Sequence, residues 1–138
     1  MIKQPIQTWK KLLEQEKPLA QKRQDHLQII DELYADDIVQ VENGHQEIQG
    51  RTRLRAMEEA NLDQVNWVKT KIEYLVFDEV KNTLWAELRI DFETKAGVQK
   101  VLLESVFQQW EGDKIKVQKF YYGEVKIIES QRIQSYEI

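Results

Sequence analysis

Apolar residues recur at helical spacing through the first part of this chain and at strand spacing through the rest. In residues 4–16, Ile6, Trp9, Leu12 and Leu13 fall on one side and Lys10, Lys11 and Glu14 on the other, which predicts a short amphipathic helix. Pro18 breaks that helix or opens the next one, and residues 19–34 repeat the pattern with Leu27, Ile30, Leu33 and Tyr34 on one face. A short strand over 38–42, a turn at Asn43-Gly44 and a second short strand to Gln49 follow. A third helix is then expected beyond Gly50, with Leu54, Met57 and Leu62 as its buried stripe and Arg51, Arg53, Arg55 and Glu59 towards water.

After Asn66 the period changes to that of a strand. Four runs, 67–78, 83–94, 98–110 and 114–123, are divided by short polar stretches at 78–82, Lys95-Ala96-Gly97 and Glu111-Gly112-Asp113. Connections this short predict an antiparallel meander. Helices first and strands afterwards predict an α+β fold, in which three N-terminal helices close one face of a curved antiparallel sheet. The tail, 124–138, alternates weakly through Val125, Ile127 and Ile133, and is expected to extend the last strand, pack across a dimer partner or fray.

Composition narrows this picture by exclusion. A length of 138 residues predicts one domain, 1–138, and 41% hydrophobic content is enough for a proper core. The 24 acidic and 20 basic residues leave a net charge of −4, which provides no long-range attraction to nucleic acid or to an anionic membrane. With no cysteine in the chain, disulfides, thiolate nucleophiles and thiolate metal sites are excluded. No apolar run is long enough for a signal peptide or a membrane span, so a cytoplasmic protein is expected. His26 and His45 have no ligand-spaced partner, so no metal site is predicted. No glycine-rich phosphate loop or serine-nucleophile motif appears, and no cofactor is expected.

A Tyr-Ala-Asp-Asp turn at 34–37, a short strand ending in Glu42 and an Ile-Gln-Gly-Arg stretch at 48–51 together resemble the nuclear-transport-factor-two-like superfamily, which includes ketosteroid isomerases and SnoaL-like polyketide cyclases. The resemblance covers the order of elements from about Leu19 to Glu124 and implies a cone whose sheet and helices enclose a small-ligand pocket, commonly in a homodimer. It also puts Glu42 where the isomerase carries its general base. A buried carboxylate there would suit proton abstraction next to a carbonyl. The same match puts Val106 where that enzyme has an acidic oxyanion donor, and the region of Pro18 where it has a tyrosine. The oxyanion hole does not carry over, so steroid isomerisation is not expected. The structural alternative for Glu42 is a strand-end acid in water or bonded to the adjacent turn.

Matching the last strand to the family's turns Gln118, Phe120 and Tyr122 inward, with Glu104, Val106, Gln108 and Trp110 inward on the strand before it. A slip of one residue would reverse both sets. Trp9 is a candidate lid at the mouth of the cone, and Met57 and Glu58 are candidates from the third helix. For Glu58 the alternative is pairing with Arg55 or a lysine on a solvated face. His45 is placed at the cleft rim, as an acid or a polar loop residue, and His26 on the exposed side of the second helix.

The strand 83–94 has two readings. Either Leu84, Ala86, Leu88, Ile90 and Phe92 face the core, or Trp85, Glu87 and Arg89 turn inward and join Glu42 in a cluster resembling the acid-arginine-acid sets of epoxide-hydrolysing relatives. The first is favoured on burial. The functional expectation is binding of a small, partly apolar organic ligand, with isomerase, cyclase or hydrolase chemistry centred on Glu42. The rival is a non-catalytic homodimeric scaffold that works through its outer sheet and tail.

Overall fold

In a computed structural model, described here for residues 3–129 and 132–133, three helices precede and cover a strongly bent sheet. Helix α1 (Lys3–Glu14) buries Ile6, Trp9 and Leu12, the apolar row of its sequence. Its C-terminal carbonyls are held by a lysine from the next helix, α2 (Leu19–Leu33). The buried Lys22 ammonium donates to the carbonyl oxygens of Leu12, Leu13 and Gln15 at 3.3, 2.8 and 2.9 Å. A cation at this end also suits the helix dipole. Helix α3 (Arg51–Leu62) follows Gly50, whose φ of 96° is open to glycine but strained for other residues.

The strands are β1 (Tyr34–Glu42), β2 (Gln46–Gln49), β3 (Val65–Asp78), β4 (Thr83–Thr94), β5 (Gln99–Glu111) and β6 (Lys114–Tyr122). Their order across the sheet is β2-β1-β6-β5-β4-β3. The meander from β3 to β6 is antiparallel throughout, as its short turns require. The exception is β1, which pairs with β6 in parallel and makes the sheet mixed. Such a pairing joins residues about eighty positions apart and has no turn to announce it.

Irregularities in three pairings, within β1 before Val39, between Ile72 and Tyr74 on β3, and between Gln109 and Trp110 on β5, bend the sheet around the helices. At the β3 irregularity the Ile72 amide donates to the Glu14 carboxylate at 2.9 Å and ties α1 to the sheet edge. Part of the tail extends the sheet: β7 (Lys126–Glu129) pairs with β5, and β8 (Arg132–Ile133) pairs with β7. The remainder of the expected C-terminal extension lies outside the described residues.

One apolar core joins all the layers. Ile29, Ile30 and Leu33 of α2, Ile38 of β1, Ile48 of β2, Leu54 of α3 and the row Leu84, Ala86 and Leu88 of β4 meet Val106, Trp110 and Ile115. The aliphatic face of β4 therefore points inward. Arg89 instead lies on the outer face and pairs with Asp91 at 2.9 and 3.0 Å, while Glu87 accepts a hydrogen bond from Ser105. This overturns the cluster of Glu87, Arg89 and Glu42: burying two charges where three aliphatic residues fit would cost far more than leaving them wet.

Candidate functional site

The cone is not filled to its wide end. Between the helices and the concave face of the sheet it leaves a cavity of about 390 Å³, within the range of small-ligand pockets. Its walls are mostly apolar, with Ile29 and Ile30 from α2, Leu54 and Leu62 from α3, and Leu88 and Ile90 from β4. The polar groups that converge on it come from β1, β3, β5, β6 and the helices.

Pairing explains why those groups share a face. Gln40 lies opposite Gln118 and Glu42 opposite Phe120 in the parallel pair, while Glu104 lies opposite Tyr122 across β5 and β6. Residues opposite one another on neighbouring strands point the same way, so this row looks into the cone. Glu42, Glu104, Gln118, Phe120 and Tyr122 line the cavity, together with Trp9, Met57 and Glu58 from the helices.

Four expected residues do not line it. Val106, Gln108 and Trp110 face inward but are packed solid where the cone narrows, at 0%, 0% and 2% exposure. His45 is exposed beyond the rim, its ring Nδ1 within 2.8 Å of the Asn43 carbonyl. Conversely, His26 was expected in solvent and stands on the cavity wall, its side chain only 10% exposed and its Nδ1 3.8 Å from a Glu58 oxygen. Tyr34, Gln40, Asn61 and Thr70 also line the cavity. Tyr34 was expected on the apolar face of the second helix, and the only signal for the other three in the sequence was a polar residue within an otherwise apolar row.

A hydrogen-bonded chain runs from the packed end of the cone to the cavity. Trp110 Nε1 donates to Gln108 at 3.0 Å, Gln108 donates to Gln118 at 2.8 Å, and Gln118 donates to the Tyr34 hydroxyl at 2.8 Å and to Gln40 at 3.2 Å. Gln40 in turn donates to one oxygen of Glu42 at 3.1 Å, and the Tyr122 hydroxyl donates to the other at 2.5 Å. Each amide orientation is set by its neighbours, so the chain fixes the Glu42 carboxylate with a donor on both oxygens.

The electrostatics follow from this crowding of acids. Burial pushes the Glu104 carboxyl from its ordinary 4.5 up to about 8, and the charges of Glu42 and Glu58 push it the same way. Tyr122 is pushed up to about 12, first by its hydrogen bond to Glu42 and then by burial. Burial also raises Tyr34. Near neutral pH the cavity therefore offers a protonated carboxyl at Glu104 in the same apolar space as Glu42, whose two oxygens are held by Gln40 and Tyr122. Among the described residues, no cluster of histidine, aspartate and glutamate is arranged to hold a metal ion.

No family model matches the sequence, and no curated protein matches it either. Solved structures do match. An NTF2-like protein of unknown function from Exiguobacterium sp. 255-15 superposes with a TM-score of 0.69 at 15% identity, covering 87% of this chain and 98% of that one. The chain has the nuclear-transport-factor-two-like fold. An epoxide hydrolase of M. tuberculosis, described as LEH-like, matches with a TM-score of 0.65 at 13% identity over 87% of this chain and 80% of that one. A protein of ketosteroid isomerase-like fold from Catenulispora acidiphila DSM 44928, solved in complex with trimethylamine, matches with a TM-score of 0.63 at 13% identity over 89% and 88%. At these identities the likeness is one of fold. Among the described residues no helix is long and apolar enough to cross a membrane.

Proposed function

We propose that this chain binds a small, partly apolar organic molecule in the cone cavity, and that Glu42 is the group that exchanges protons with it. The observation that carries this reading is the Glu42 carboxylate itself, on the cavity wall with Gln40 and Tyr122 aimed at its two oxygens. A base held in one orientation beside an apolar space is what isomerase, cyclase and hydrolase chemistry share. The epoxide hydrolase among the structural neighbours supports turnover on this fold, and the trimethylamine complex supports occupancy by a small molecule.

The test begins with native mass spectrometry of the purified chain, then denaturation to identify any molecule released. That molecule, or its chemical relatives, is the substrate offered to Glu42→Gln. The expected result is lost turnover with retained binding. Turnover unchanged by the substitution would remove Glu42 from the mechanism.

A second reading concerns assembly. On the outer face of the sheet Trp85 packs on Phe107 and Tyr121 at ring-centre distances of 5.1 and 6.2 Å, with the Lys119 ammonium 5.7 Å from the Phe107 ring centre. Trp85 and Tyr121 remain 47% and 39% exposed. An aromatic patch of this kind favours a homodimer joined through the outer sheet, compatible with either a catalytic or a non-catalytic cavity. Sedimentation velocity decides it: a monomer at micromolar concentration removes the homodimer.

A further inference from the structure

The charge on the cavity wall is one-sided. Glu42, Glu58 and Glu104 reach it from β1, α3 and β5, and no lysine or arginine is among the described residues that line it. His26 is the one lining residue able to take a positive charge, and it stands beside Glu58. We propose that the molecule bound here is an organic cation, a protonated or quaternary amine carrying an apolar body, seated against Glu42, Glu58 and Glu104. This rests on the small-ligand reading of the cavity and narrows it to one class.

Several observations converge on a cation. Glu42 is fully provided with donors, whereas Glu104 has no hydrogen-bond partner among the described residues. Trp9, Phe120 and Tyr122 add aromatic rings to the same wall, the surfaces that attract alkylammonium groups. A bare metal ion would need converging ligands, which the described residues do not provide. An anionic ligand would meet like charge in a space of low polarity, where repulsion is weakly screened.

A cation here also changes the protonation of the wall. The titratable groups around Glu104 are Glu42 and Tyr34 from β1, His26 from α2, Glu58 from α3 and Tyr122 from β6, while its β4 neighbour is Leu88. Burial of Glu104, and then the charges of Glu42 and Glu58, keep its proton in place until pH reaches about 8 in the empty cavity. An ammonium group beside it favours the carboxylate, so binding at neutral pH expels that proton.

The experiment compares three ligands of one shape by calorimetry on the full chain: phenethylamine, phenethyl alcohol and phenylacetate. The amine is expected to bind roughly tenfold or more tightly than the alcohol, and the acid weakest. Benzyltrimethylammonium, whose charge does not titrate, is expected to bind more tightly as pH rises through about 8, and buffers of different ionisation heat should show a proton released at neutral pH. Glu58→Gln and Glu104→Gln should each narrow the preference for amine over alcohol, with circular dichroism showing that each variant is folded. Equal affinity for amine and alcohol, or a preference for amine that survives removal of all three charges in Glu42→Gln, Glu58→Gln and Glu104→Gln together, overturns the acid-seated cation assignment and leaves the cavity reading standing. No binding of any of the three ligands at millimolar concentration overturns both.

Discussion

The hydroxyl of Tyr122 donates to the Glu42 carboxylate at 2.5 Å, across two strands that are 80 residues apart in sequence. That bond is the main reason the phenol is held up to about 12 instead of the ordinary 10.0. Glu42→Gln removes the negative acceptor, so the phenol is expected to titrate closer to 10. A difference ultraviolet titration, with Tyr122→Phe to identify the phenol, measures it. An unmoved high-pH transition would mean that the two groups are not bonded in solution.

Glu104 makes the stability of the chain depend on pH. Its folded-state value of about 8 lies above its ordinary 4.5, so between these values the folded chain holds a proton that the unfolded chain has lost. Stability from this group therefore falls as pH rises from 4.5 towards 8 and is flat above. Glu104→Gln is expected to be more stable than the parent above pH 8 by roughly 1–3 kcal/mol, with the gap closing below pH 4.5. Urea denaturation across that range checks it, and a constant gap would contradict the assignment.

Gln118 is the junction of the buried polar chain, accepting from Gln108 and donating to Tyr34 and Gln40. Gln118→Leu keeps the volume but leaves three buried polar groups without that partner. The expected loss is about 3 kcal/mol or more by chemical denaturation. Loss below about 1 kcal/mol would show that water or a rotated amide replaces Gln118 at little cost.

Trp85 is the centre of the exposed aromatic patch on the outer sheet. If that patch joins two copies, Trp85→Asp should weaken the dimer by at least about tenfold, because a charge would be buried at the contact. The cavity lies on the opposite face of the sheet, so ligand binding should persist. Sedimentation velocity and calorimetry on the same variant separate the two effects.

Much of the fold was legible locally. The bounds of β4 coincide with its run of alternating residues, because a turn with Asn82 at a φ of 52° closes one end and Lys95-Ala96-Gly97 the other. The inward row of Gln118, Phe120 and Tyr122 follows from a period of two once a single residue is oriented. The parallel seat of β1 against β6 was not legible, since it depends on which distant edge the meander leaves unpaired.

For the site, the chain alone determined that an acid ends the first strand, that polar residues interrupt the inward rows of β5 and β6, and that no thiol takes part. Tertiary structure decided how deep the open space runs. It left Glu104 at the cavity while sealing Val106, Gln108 and Trp110 below, and it brought His26 of α2 to Glu58 of α3. The division has a physical cause. Periodicity is set by the backbone a few residues at a time, whereas burial, shared protons and the missing counter-charge on this wall depend on groups that meet only when distant segments pack.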